Sequence, residues 1–230
     1  MKLLIYVSIL IFSVVLSGNI IAQDCGFYSL KKGMVLGHQI FFAKGKLTGA
    51  IRSSCMGVDK IGKTVHYILK NEYADAKNKN QSTREYDMKC EDGNFYLDMN
   101  STVDPKLMEA FEGMEVKVDA NDMMYPATFV VRSVLPDANI NVSAGSGSVS
   151  IMNLTITITN RKVEGKESVT VPADTFDCYK ITYDIETKMM FKIYATVTEY
   201  VNMGVGNVKT ETFDKKGNLS GTTLLVELKQ

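Results

Sequence analysis

Apolar and polar residues alternate one for one over long stretches of this chain, and that period constrains its fold more than any other feature. Met152, Leu154, Ile156 and Ile158 point one way along an extended segment, while Asn153, Thr155, Thr157 and Thr159 point the other. Tyr179, Ile181, Tyr183 and Ile185 alternate with Lys180, Thr182, Asp184 and Glu186 in the same manner. Leu224, Val226 and Leu228 do so near the end, and Val65, Tyr67, Leu69 and Tyr73 earlier. Side chains repeat every two residues along a strand, so each run makes a strand with one face on a core and one in water. Strands of that kind belong to antiparallel sheets. A parallel sheet needs crossover helices between its strands, and their period is absent.

Turn chemistry agrees. Asp92-Gly93 separates a strand around Tyr86–Cys90 from one over Phe95–Met99. Asp214-Lys215-Lys216-Gly217-Asn218 separates Val208–Phe213 from Leu219–Leu228, and Lys44-Gly45-Lys46 joins Ile40–Ala43 to Leu47–Ile51. Each supplies a glycine where the backbone must take positive φ. Ala144–Ser148 reads as a flexible loop too short to link two domains, and there is no internal repeat. One helix is expected, over residues 104–112: Asp104 is a good N-cap, Pro105 suits the first turn, and Gly113 suits the residue past the end. Leu107, Phe111 and Met114 fall at i, i+4 and i+7, a stripe that must face either the core or a ligand. The fold expected is therefore mainly β, of about 8 to 12 strands. It takes the form of a single curved antiparallel sheet or open barrel, with one main α-helix packed at its concave face.

The N-terminus carries a different signal. Lys2 precedes an apolar run from Leu3 to Leu16, short of the ~20 residues that span a bilayer. Small and polar residues follow, closing at Ala22, which is the layout of a secretory signal cleaved after Ala22. Asp24 before Cys25, and Asn19 where a cysteine would have to stand, argue against lipidation. Residues 1–22 are thus expected to be a signal peptide and residues 23–230 a single β-rich domain, periplasmic or secreted. Lysine plus arginine equal aspartate plus glutamate at 26 each, and no run of one sign occurs, so nucleic acid is not an expected partner. Nor is the mature chain expected to span a membrane.

Four cysteines, Cys25, Cys55, Cys90 and Cys178, in an exported chain suggest up to two disulfides with three possible connectivities. Buried thiols are the alternative. Cys90 and Cys178 both adjoin turns, which favours Cys90–Cys178 and leaves Cys25 for Cys55. No Cys-x-x-Cys pair exists and neither histidine lies near a cysteine, so a zinc ribbon is excluded.

Motifs for chemistry are sparse. His38 and His66 sit on strands without a suitably spaced partner, and zinc-protease, P-loop and nucleophile-elbow signatures are all missing. Asp119-Ala120-Asn121-Asp122 lacks the glycine and distal glutamate of a helix–loop–helix calcium site and reads as an Asx-type hairpin turn. The methionines, among them the pairs Met123-Met124 and Met189-Met190, suit gap-filling in a curved core or an adaptable apolar surface. No catalytic residue, metal or cofactor is expected.

One segment resembles a known family. Thr170, Pro172, Ala173, Thr175 to Lys180, Gly204-Val205-Gly206, Val208-Lys209 and the Asp214 to Gly217 turn are similar to the C-terminal part of the TapB-like group of secreted bacterial proteins. Weaker agreement runs from Asn160-Arg161-Lys162-Val163 back to Cys90-Glu91-Asp92-Gly93-Asn94-Phe95-Tyr96. The resemblance implies a bacterial source, cysteines at the positions of Cys25, Cys90 and Cys178, and a tetratricopeptide-repeat protein as candidate partner. It names no substrate.

Three functions follow. The first is a non-catalytic binding protein whose apolar inner face holds a lipid-like or other apolar ligand. That face comprises Leu154, Ile156, Ile158, Tyr179, Ile181 and Tyr183, approached by Leu107, Phe111 and Met114. The second is an envelope scaffold or interaction component, and the third a hydrolase built from dispersed carboxylates. A carrier requires an enclosed apolar cavity of at least ~300 Å³ beneath the helix. A scaffold has a filled interior and an exposed apolar patch or open sheet edge.

Overall fold

The computed structural model describes residues 25, 28–79, 81–102, 113–146 and 149–230. In chain order the strands are β1 (Val35–Phe42), β2 (Lys46–Ile61), β3 (Thr64–Asp75), β4 (Ser82–Glu91), β5 (Asn94–Leu97), β6 (Glu115–Asn121) and β7 (Met123–Tyr125). There follow β8 (Ala138–Ser146), β9 (Val149–Val171), β10 (Asp174–Lys188), β11 (Lys192–Asn202), β12 (Gly206–Asp214) and β13 (Leu219–Lys229). They form one antiparallel sheet of 13 strands, ordered β6-β8-β9-β10-β11-β12-β13-β1-β2-β3-β4-β5-β7. That is one strand more than the expected upper bound.

The two outer strands of that order are consecutive in the chain, separated only by Asp122. Glu115–Asn121 pairs with β8, and Met123–Tyr125 pairs with β5 on the other side. A single extended segment therefore belongs to both edges and brings the sheet close to closure. The expected turn at Asp119–Asp122 is instead this crossing point. The Asn121 side chain accepts from the Asn139 N–H and donates to the Asp137 carbonyl, fixing the crossing to β8. Ala144–Ser146, expected in a loop, extends β8.

The three expected glycine turns all form. Among the described residues no α-helix occurs; the helix expected over residues 104–112 lies outside them, as do Leu107 and Phe111. Met114 is exposed, next to the start of β6.

The interior is filled by the inward faces of the strands, including Phe95, Ile140, Val163, Ile181, Val208 and Leu225. The N-terminal segment closes one end. Cys25 is disulfide-bonded to Cys90, with their Cα atoms 5.8 Å apart. Tyr28 bridges in parallel to Gly204, the Ser29 N–H donates to the Gly204 carbonyl, and Leu30 and Met34 are buried. This strap ties the β4–β5 turn to the β11–β12 turn. The expected cysteine pairing is corrected accordingly: Cys25 pairs with Cys90, while Cys55 and Cys178 are buried thiols. Adjacency to turns was a poor guide, because β4 and β10 lie far apart around the sheet.

Candidate functional site

Beneath the strap lies a cavity of 140 Å³. Its walls are apolar, from Leu30 of the strap, Leu36 on β1, Leu69 on β3, Met88 on β4 and Phe95 and Leu97 on β5. The Cys55 thiol joins them and is held neutral, since burial pushes its pKa up. The polar groups are few: Tyr28, Ser53, Tyr86, Tyr125, Asn207 and one carboxylate, Glu199 on β11.

Glu199 is buried among tyrosines. The Tyr183 hydroxyl donates to Oε1 at 2.7 Å and the Tyr125 hydroxyl to Oε2 at 3.1 Å. Burial lifts the Glu199 carboxyl above the usual carboxylate range, with the Tyr183 hydroxyl, the Arg161 charge and the Tyr125 hydroxyl holding it back in part. The same burial, then the negative charge of Glu199, raises the tyrosines in turn. Tyr28, at the other side of the cavity, is pushed up to about 12 chiefly by burial. The Tyr28 ring packs on Phe95 at 5.0 Å between centroids. Gly206 makes room for that ring: it has φ +86°, and a Cβ there would run into Tyr28.

Arg161 supplies the positive charge. It is fully buried, its Nη1 donates to the carbonyls of Met124 and Pro136 at 3.0 and 2.7 Å, and its guanidinium lies 5.0 Å from the Tyr125 ring centre. Nε and Nη2 have no partner among the described residues. Its inward position comes from a bulge in β9. Thr159 pairs with Asp184 and Lys162 with Thr182, so Asn160 and Arg161 together face the single residue Tyr183. Asn160 takes φ +55°, and the inward parity switches from Leu154 and Ile158 to Arg161 and Val163. An extra residue of this kind re-aims a side chain.

The six strand residues of the expected ligand face lie apart from this cavity. Leu154, Ile158, Ile181 and Tyr183 are buried in the core, and Ile156 and Tyr179 are half-buried against it. None of the six lines the cavity. Tyr183 reaches it indirectly, through Glu199, and Tyr179 stacks on Phe129 at 5.0 Å. The chosen face lies on β9 and β10, whereas the cavity is lined chiefly from the strap and β1 to β5, with Tyr125, Glu199 and Asn207 completing it. Glu199 was missed because Val197 to Val201 are all buried, a break in alternation around a lone acid. A carboxylate inside the run Val-Thr-Glu-Tyr-Val was the available signal. Among the described residues no group of three metal-ligating side chains occurs, and no helix is long and apolar enough to cross a membrane.

A nearly closed antiparallel barrel with a cavity at its strapped end is the class that these features define. Residues 31–225 match the family described as DUF3108-like, and the chain belongs to that family. The match carries that description and not the TapB-like one. Solved structures share the fold. A Bacteroides fragilis protein of inferred export and YmcC-like fold superposes with a TM-score of 0.73 at 20% identity, covering 89% of this chain and 99% of its own. A Parabacteroides distasonis protein inferred to be a lipoprotein gives 0.72 at 24% identity, covering 88% and 98%. At such identities the likeness is one of fold. No curated protein matches the chain.

Proposed function

We propose that this chain is an exported, non-catalytic binding protein that holds a small apolar group in the strapped cavity, with the group's polar end toward Glu199. The observation that carries this reading is the cavity's make-up: apolar walls with one buried, pKa-raised carboxylate converging on them, the usual pattern of a small-molecule site. Its 140 Å³ falls short of the ~300 Å³ expected of a whole-lipid carrier. It is close to the about 150 Å³ of an apolar cavity that accepts benzene. The ligand is therefore a single ring or the short end of an acyl chain, ending in a hydrogen-bond donor. Export rests on the Lys2 to Ala22 layout and on the inferred export of a fold relative.

Native mass spectrometry of protein recovered from its own envelope tests the reading, together with titration by benzyl alcohol and toluene. Binding of benzyl alcohol over toluene, lost in Leu69→Trp, is the expected result. Binding of neither probe and no co-purifying small molecule would sink it. A hydrolytic turnover abolished by Glu199→Gln would put the hydrolase reading in its place.

A second reading, an envelope interaction component beside a tetratricopeptide-repeat protein, is favoured by one surface. The loop between β7 and β8 exposes Val130, Val131 and Val134, the last at 75%. If this reading holds, a tetratricopeptide-repeat protein co-purifies with the wild type and not with Val134→Asp.

A further inference from the structure

Three hairpin turns emerge side by side at the end of the barrel opposite the strap. Pairing of Lys188 with Lys192, Phe213 with Leu219, and Phe42 with Lys46 places the β10–β11, β12–β13 and β1–β2 turns along one rim. Apolar side chains project from all three. Met190 is 92% and Phe191 71% exposed at the tip of the first turn, flanked by exposed Met189 and Ile193. Leu219 and Phe42 are exposed at the other two.

Lysines surround these tips. Lys188 and Lys192 flank the first, Lys215 and Lys216 form the second, and Lys44 and Lys46 the third. The carboxylates nearby are already engaged. Asp214, the single acid within the three turns, folds back to accept the N–H groups of Lys216 and Asn218. Glu186 pairs with Lys192 at 2.8 Å, and Asp184 accepts from Asn160 and Thr196. With these six lysines against these three carboxylates the rim is basic, although the whole chain has no net charge.

We propose that this rim docks on the surface of an anionic phospholipid bilayer, with Met189, Met190 and Phe191 inserted between headgroups. Apolar tips without charge give marginal attachment, as do lysines without an apolar anchor; the two together give a stable one. The geometry separates a bilayer from a folded partner. Projecting tips meet a rigid protein at points, whereas a stable protein interface needs a continuous face of about 800 Å² on each side. A fluid headgroup layer closes around points. This inference is independent of what the cavity holds, and it leaves the cavity and its strap facing away from the membrane.

The chain contains no tryptophan, so Phe191→Trp creates a single reporter at the tip. Ile61→Trp, at the exposed β2–β3 turn on the strap end, is the control. Both are made in the exported protein as recovered from the periplasm of an expressing bacterium, and mixed with phosphatidylglycerol or phosphatidylcholine vesicles. The expected result is a blue shift and quenching by brominated lipid for Phe191→Trp on phosphatidylglycerol, weakening as salt screens the lysines. The Ile61→Trp reporter stays unquenched, which distinguishes docking by the rim from attachment through the N-terminus. Adding Met190→Asp to Phe191→Trp should lower brominated-lipid quenching about tenfold, because one of two membrane signals is gone. Equal quenching of both reporters, no quenching at low salt, or a blue shift that depends on protein concentration without vesicles would each overturn the proposal. The last outcome would make the rim an interface between copies.

Discussion

Gly206 and Tyr28 show how one missing side chain shapes the site. With φ +86° and the Tyr28 ring where its Cβ would stand, Gly206→Ala is strained and overpacked at once, and should cost about 3 kcal/mol. Chemical denaturation measures this, and Tyr28→Ala should remove the overpacking part of the loss while leaving the backbone part. Glu199 gives a pH dependence. Its pKa is higher folded than unfolded, so the folded protein holds that proton more tightly. Its stability is fully present below the ordinary carboxylate range and falls as pH rises through the raised value. Glu199→Gln cannot ionise. Melting temperatures should therefore show wild type losing ground to Glu199→Gln as pH rises above the ordinary carboxylate range. A difference independent of pH would mean that the carboxyl does not titrate in this window.

At the scale of elements, the strap and the bulges matter most. The Cys25–Cys90 disulfide closes a loop of 65 residues, worth about 4 kcal/mol in the chain-entropy model. Cys25→Ser should lower stability by that order, and non-reducing peptide mapping should find this bridge and no other. Native protein should resist alkylation, because Cys55 and Cys178 are buried and burial pushes the Cys178 thiol up to about 12. Strands and turns were legible because alternation and glycine turns are local. Bulges were not. On β13, Val226 is skipped between Glu227 opposite Gly37 and Leu225 opposite His38. The deeply buried residue there is Leu225, while the alternation of Leu224, Val226 and Leu228 pointed to its neighbours. One extra residue reverses the parity of everything after it, and nothing in a lone sequence marks where it falls. The buried Arg161 and the Cys25–Cys90 pairing escaped for a related reason: both depend on which distant strands become neighbours.

For the whole molecule, the decisive event is that β1 pairs with β13 along its full length, Val35 opposite Lys229 through Phe42 opposite Gly221. Insertion of several glycines at Asp122, where the outer strands meet, should raise hydrogen-exchange rates in β5, β6 and β7 before those of β10 and β11. The β1–β13 pairing bears on time as well as on shape. The first strand waits for a partner that lies twelve strands further along the chain, and loop closure over that separation is slow. A polypeptide so arranged keeps its sheet unclosed until that partner has been made, which is the condition in which a secretion channel can still thread it.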